Sequence, residues 1–231
     1  MTKLLVSVQT ADEAVHALTA GADLIDVKDT ARGPLGQAHH ETVTAVLAVV
    51  QQRVPVSAAL GEWEPDSQAD ACWHFGLPLS YVKWGLAKSA ANPDFTEQFL
   101  ETRRKLPDGI ELVLVAYADH EQAGCIPPAE LVKLAKRYRF RAMLFDTFDK
   151  TAGALLTHLP IAELAEQIVS LHRSGVQVAL GGSLTLEQVP KLLAIEPDWL
   201  AIRGAACVGG KRTGALDPVR LAKWRNAIPI T

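Results

Sequence analysis

No apolar run in this sequence approaches the roughly 18 residues that a bilayer-spanning helix needs, so no membrane partner is expected. Basic charge is not in excess: 23 Lys and Arg stand against 26 Asp and Glu, a net charge of −3. A chain so balanced offers no electrostatic footprint for nucleic acid or an anionic membrane surface. Cysteine is scarce. Cys72, Cys125 and Cys207 are odd in number and far apart, which fits free thiols in a reducing cytoplasm better than a disulfide framework. The histidines lack metal-ligand spacing: His39 and His40 are adjacent, while His16, His74, His120, His158 and His172 are scattered. No metal is therefore expected. No Gly-x-Gly-x-x-Gly turn follows the first strand pattern, so no dinucleotide cofactor is expected either. Linkers, low-complexity tracts and composition breaks are also missing, and residues 1–231 read as one domain. Met1–Val6 reads as a strand rather than a secretory leader, because no small-residue cleavage site follows an apolar core.

What is present is regular alternation. With 231 residues, 48% of them hydrophobic, the chain can build one large core. Strand patterns fall at Lys3–Val8, Leu24–Val27, Val54–Ala59, Tyr81–Trp84, Ile110–Tyr117, Ala142–Phe145, Val176–Leu180 and Trp199–Ile202. Helical patterns lie between them at Ala11–Ala20, Glu41–Val50, Gln68–Phe75, Phe95–Lys105, Pro128–Tyr138 and Ile161–Arg173. Another opens at the capping-box spacing of Thr185–Gln188, and the last is Pro218–Trp224. Eight strand–helix units with short connections predict parallel pairing and a closed α/β structure, a (β/α)8 TIM barrel. A doubly wound open sheet is the rival, disfavoured by the missing glycine turn.

In such a barrel the chemistry sits at the C-terminal ends of the strands. Leu24-Ile25-Asp26-Val27-Lys28 puts a carboxylate and an ammonium on one face of the second strand. Taken alone, that is either a structural ion pair or part of a site. The fourth strand end adds Lys83, and the sixth adds Asp146 with Lys150 four residues on. Clustered ammoniums lower one another's pKa and leave a neutral amine, the nucleophile that forms Schiff bases with carbonyls. The seventh and eighth strands end in Gly181-Gly182-Ser183 and Arg203-Gly204-Ala205. Small residues there let backbone N–H groups approach a phosphate, at the strand ends where barrels commonly bind one. The loop Gly209–Gly214, with Lys211 and Arg212, reads as a second phosphate site or a solvated loop. Asp119-His120 reads as rim structure or a substrate contact, and His39 and His40 as solvated surface.

Taken together, several segments resemble the (5-formylfuran-3-yl)methyl phosphate synthase family, also called 4-(hydroxymethyl)-2-furancarboxaldehyde-phosphate synthase. They are Ile25-Asp26-Val27-Lys28, Tyr81–Leu86, Tyr117-Ala118-Asp119, Leu144–Thr147, Leu180–Ser183 and Arg203–Cys207. The resemblance implies a lyase that condenses two glyceraldehyde 3-phosphate molecules into a furan aldehyde phosphate, releasing phosphate and water, for methanofuran-type cofactors. It implies Lys28 as the Schiff-base lysine and Lys83 as proton acceptor, with Asp26, Asp146 and Lys150 in support. Without it, a class I aldolase for another sugar phosphate, or a non-catalytic sugar-phosphate-binding barrel, fits the same residues. A cytoplasmic homo-oligomer is expected, with the number of subunits left open by the sequence.

Overall fold

A computed structural model of the chain describes residues 1–65 and 76–229. The helix expected at Gln68–Phe75, and Cys72 within it, lie outside the described residues. Eight parallel strands hydrogen-bond in chain order: β1 (Lys3–Val8), β2 (Leu24–Val27), β3 (Val56–Glu62), β4 (Tyr81–Gly85), β5 (Glu111–Tyr117), β6 (Ala142–Asp146), β7 (Gln177–Leu180) and β8 (Trp199–Ile202). β8 pairs with β1, Leu4 opposite Leu200, and closes the barrel. The alternation of each strand explains this arrangement. Outward residues such as Val6, Ile25, Val82, Leu114, Phe145 and Val178 pack with Leu131, Leu164 and Leu221 of the surrounding helices into one continuous core. Inward residues form smaller apolar layers, Leu5, Leu24 and Trp199 in one and Val115, Tyr117 and Leu144 in another. A parallel sheet buried on both faces needs both sets.

The helices begin where the sequence supplies acceptors for their free N–H groups. Thr10 Oγ1 accepts from Glu13 N at the start of Ala11–Thr19, and Asp217 Oδ1 accepts from Val219 N at the start of Pro218–Ala227.

Most boundaries move by one residue from the sequence pattern and the last helix runs on to Ala227, while β3 and the capping-box segment differ in kind. β3 starts at Val56, because Pro55 has no N–H to give the ladder. It runs past Gly61 to Glu62 through a register shift after Ala59 that the positive φ of Gly61 (+85°) permits. The capping-box segment opens a 3₁₀ turn, Leu186–Gln188, before the helix Val189–Leu193, with Thr185 N donating to Gln188 Oε1. Short turns at the barrel mouth, His120–Ala123, Leu155–His158 and Gly204–Ala206, have no counterpart in the sequence pattern. They are too short for a hydrophobic period to reveal.

Candidate active site

Register brings the polar inward positions together. Ser7 of β1 and Ser57 of β3 both lie level with Asp26 of β2, and Tyr117 of β5 lies level with Asp146 of β6. Asp26 is fully buried. Its Oδ1 accepts from Ser57 Oγ at 2.6 Å and pairs with Lys83 Nζ at 2.7 Å, and its Oδ2 accepts from Ser7 Oγ at 2.9 Å. Burial alone would raise this carboxyl's pKa. The opposing charges of Lys83 and Lys28 and the hydrogen bonds outweigh burial and hold it below the ordinary value.

The ion pair that β2 alone suggested, Asp26 with Lys28, is not the one that forms. Lys83 comes from β4, two strands from β2 with β3 between them, and its long inward-facing side chain crosses the barrel interior to reach Asp26. Lys150 Nζ lies 2.5 Å from Asp146 Oδ1 and also donates to the Thr147 carbonyl, and Thr147 N donates to the same Asp146 oxygen. Burial opposed by Lys150 and then Lys28 leaves Asp146 below its ordinary pKa as well.

Lys28 is different. It is buried, yet no described carboxylate lies within ion-pairing distance of its Nζ. Burial lowers its amine from 10.5 to about 8, against the pull of Asp26 and Asp146 and with the help of Lys150 and Lys83. An amine with a pKa there is partly neutral near pH 7 and able to attack a carbonyl.

A cavity of about 430 Å³ opens above these groups. Asp26, Lys28, Lys83, Asp146 and Lys150 line one part of it, and Gly181, Gly182, Ser183, Arg203, Gly204 and Ala205 another. The second part is a backbone cradle. Gly182 has φ +87°, and a Cβ there would stand 3.0 Å from Thr147 Cγ2 and 3.1 Å from Thr147 N. The N–H groups of Gly182, Ser183, Gly204 and Ala205 find no acceptor among the described residues. The Arg203 guanidinium, by contrast, is spent on structure. It grips both oxygens of Glu13 and donates to the carbonyls of Ser7, Arg212 and Gly214. What Arg203 offers a ligand is therefore its main chain. Among the described residues, no three His, Cys, Asp or Glu side chains gather as a metal-ion set.

Asp119 turns out to be rim structure. Its carboxylate accepts from Phe148 N (2.7 Å) and Asp149 N (2.8 Å) and so anchors the loop that carries Lys150. His39 and His40 are exposed. The sequence reading missed Ser7, Ser57 and Glu13. The two serines could have been found by aligning inward positions across neighbouring strands. Glu13 carries no signal, since an acid in a first helical turn is ordinary.

Comparison with known proteins agrees with the fold and shows the family. Residues 4–225 match the family model described as 4-HFC-P synthase. A (5-formylfuran-3-yl)methyl phosphate synthase of Methanobrevibacter smithii is 31% identical over 232 residues, 96% of this chain and 97% of that one. One from Methanopyrus kandleri is 30% identical over 233 residues, 98% of each. Among solved structures, phosphoribosyl anthranilate isomerase of Thermus thermophilus superposes with a TM-score of 0.62 at 14% identity, covering 98% of each chain. A 3-hexulose-6-phosphate synthase superposes with a TM-score of 0.55 at 14% identity, covering 99% of this chain and 100% of that one. At such identities the structural likeness speaks for the barrel alone.

Proposed function

The chain belongs to the 4-HFC-P synthase family, and from that premise we propose that its cavity condenses two molecules of glyceraldehyde 3-phosphate into (5-formylfuran-3-yl)methyl phosphate through a Schiff base on Lys28. The observation that carries the reading is the division of labour among three lysines, Lys28 and Lys83 buried and Lys150 partly buried. Lys83 and Lys150 are each held by a carboxylate, at 2.7 and 2.5 Å, while Lys28 has none and its amine is depressed to about 8.

Neutral Lys28 attacks the C1 aldehyde of one triose phosphate, and loss of water from the carbinolamine gives the imine. Lys83 then removes the C2 proton, and the C–H electrons move into the enamine. The enamine carbon attacks the aldehyde of the second triose phosphate. Lys150, held by Asp146, is placed to protonate departing oxygens in the eliminations that follow. Two molecules of substrate minus one phosphate and two waters give the furan aldehyde phosphate, so the reaction needs no external oxidant and counts as a lyase. Support for phosphate binding comes from the unpaired N–H groups of Gly182, Ser183, Gly204 and Ala205. The product suits a furan-containing one-carbon carrier of the methanofuran type.

Product analysis tests the reading. Incubation with glyceraldehyde 3-phosphate alone should yield the furan aldehyde phosphate, with one inorganic phosphate per product. A different condensation product from the same substrate would mark a class I aldolase instead.

A further inference from the structure

We propose that the Arg212 guanidinium forms a second phosphate subsite, distinct from the backbone cradle, that holds the phosphate of the second triose; the identity of that ligand rests on the reaction proposed above. The main chain of Arg212 is fixed, because its carbonyl accepts from Arg203 Nε at 2.9 Å. Its side chain reaches across the mouth from the β8 end to the β2 end, where Nη2 donates to the carbonyls of Gly33 (3.0 Å) and Pro34 (3.4 Å). The group lines the cavity. A guanidinium has five N–H donors. Nε and Nη1 of Arg212 have no acceptor among the described residues, and no described carboxylate pairs with it.

Charge in the cavity points the same way. Lys83 is matched by Asp26, Lys150 by Asp146 and Arg203 by Glu13. Arg220 at the edge pairs with Asp217 at 3.8 Å, and Glu187 on the rim pairs with none of these cations, so Lys28 and Arg212 remain without a described carboxylate in ion-pairing distance. Lys28 loses its charge to become a nucleophile, which leaves the half-buried Arg212 with no anion of its own. A desolvated cation is costly until an anion meets it, and the Nε–H and Nη1–H groups remain free to give a phosphate charge-assisted hydrogen bonds. The reaction also demands a second position, because two triose phosphates bring two phosphates and the cradle at the β7 and β8 ends presents one cluster of N–H groups.

The test uses glycerol 3-phosphate, which carries the phosphate and no aldehyde and so binds without reacting. Calorimetric titration of the wild-type protein should show two equivalents bound, Arg212→Gln one, and Gly182→Val one. Arg212→Lys, which keeps charge but has neither the planar guanidinium nor its anchor on the Gly33 and Pro34 carbonyls, should bind the second equivalent about 10- to 100-fold more weakly, the effect of losing one charge-assisted hydrogen bond. Arg212→Gln should still be labelled on Lys28 by glyceraldehyde 3-phosphate and borohydride, while product formation falls about 10- to 100-fold. One equivalent bound by the wild type, or two retained by folded Arg212→Gln, overturns the subsite. Equal loss of labelling and product in Arg212→Gln also overturns it, since the arginine would then serve the first phosphate. Two equivalents bound by a wild type that makes no furan product would leave the subsite standing and remove the reaction instead.

Discussion

At the scale of single residues, the proposed chemistry depends on keeping one amine out of an ion pair. Lys28 is buried beside two carboxylates that are already taken, Asp26 by Lys83, Ser7 and Ser57, and Asp146 by Lys150 and Thr147 N. Such an amine costs stability. Its native pKa, about 8, lies below the value of 10.5 in an unfolded chain. Below pH 8 both states hold the proton, and the native state bears the full cost of a buried ammonium. Between about pH 8 and 10.5 the native state releases the proton while the unfolded state retains it, so stability rises with pH across that window. Lys28→Met should therefore be more stable than wild type at pH 7, by up to about 3 kcal/mol. The gap should narrow between pH 8 and 10.5. Urea unfolding of both proteins at pH 7 and pH 10 measures it, and a less stable Lys28→Met with a gap independent of pH would refute it.

At the scale of elements, the loops after the strands carry the site, and each is tied down by a residue that does no chemistry itself. Asp119, after β5, receives the N–H groups of Phe148 and Asp149 and so fixes the turn from which Lys150 returns to Asp146. Asp119→Asn keeps the shape but replaces one charged acceptor oxygen by an amide that cannot accept. We expect a fall in kcat of about 10-fold, from one weakened hydrogen bond of charged type, with borohydride labelling of Lys28 unchanged. Equal losses of labelling and turnover would show a wider disturbance.

These anchors also mark where the sequence stopped being legible. Asp26, Lys28, Lys83, Asp146, Lys150 and the glycines after β7 and β8 stand at strand ends, and alternation plus barrel order is enough to bring them together. The turn of Arg203 toward Glu13 is set by two residues 190 apart in sequence. The choice of Lys83 over Lys28 as the partner of Asp26 is set by a contact across the barrel interior between alternate strands, which no pattern along a single strand contains. The irregular end of β3 and the mouth turns are set by single glycines and caps, too local to leave a period.

At the scale of the whole molecule, closure of the barrel is what makes distant strand ends into one cavity. β2, β4 and β6, alternate strands, supply the lysines and carboxylates, while β7 and β8 supply the backbone cradle beside them. That architecture was readable because eight repeats of one unit reinforce each other, and an error at one boundary leaves the count unchanged. The central claim is that this closed ring presents a single nucleophilic amine, on Lys28, to an aldehyde. Borohydride reduction in the presence of glyceraldehyde 3-phosphate, followed by intact-mass and peptide mapping, tests it most directly. The wild type should gain one reduced triose phosphate on Lys28, at a rate that climbs with pH and levels off above about 8. Lys83→Ala should still be labelled there but make no product, and Lys28→Ala should gain nothing. Label on Lys83 or Lys150 in the wild type, or an undiminished gain of mass by Lys28→Ala, would contradict the account.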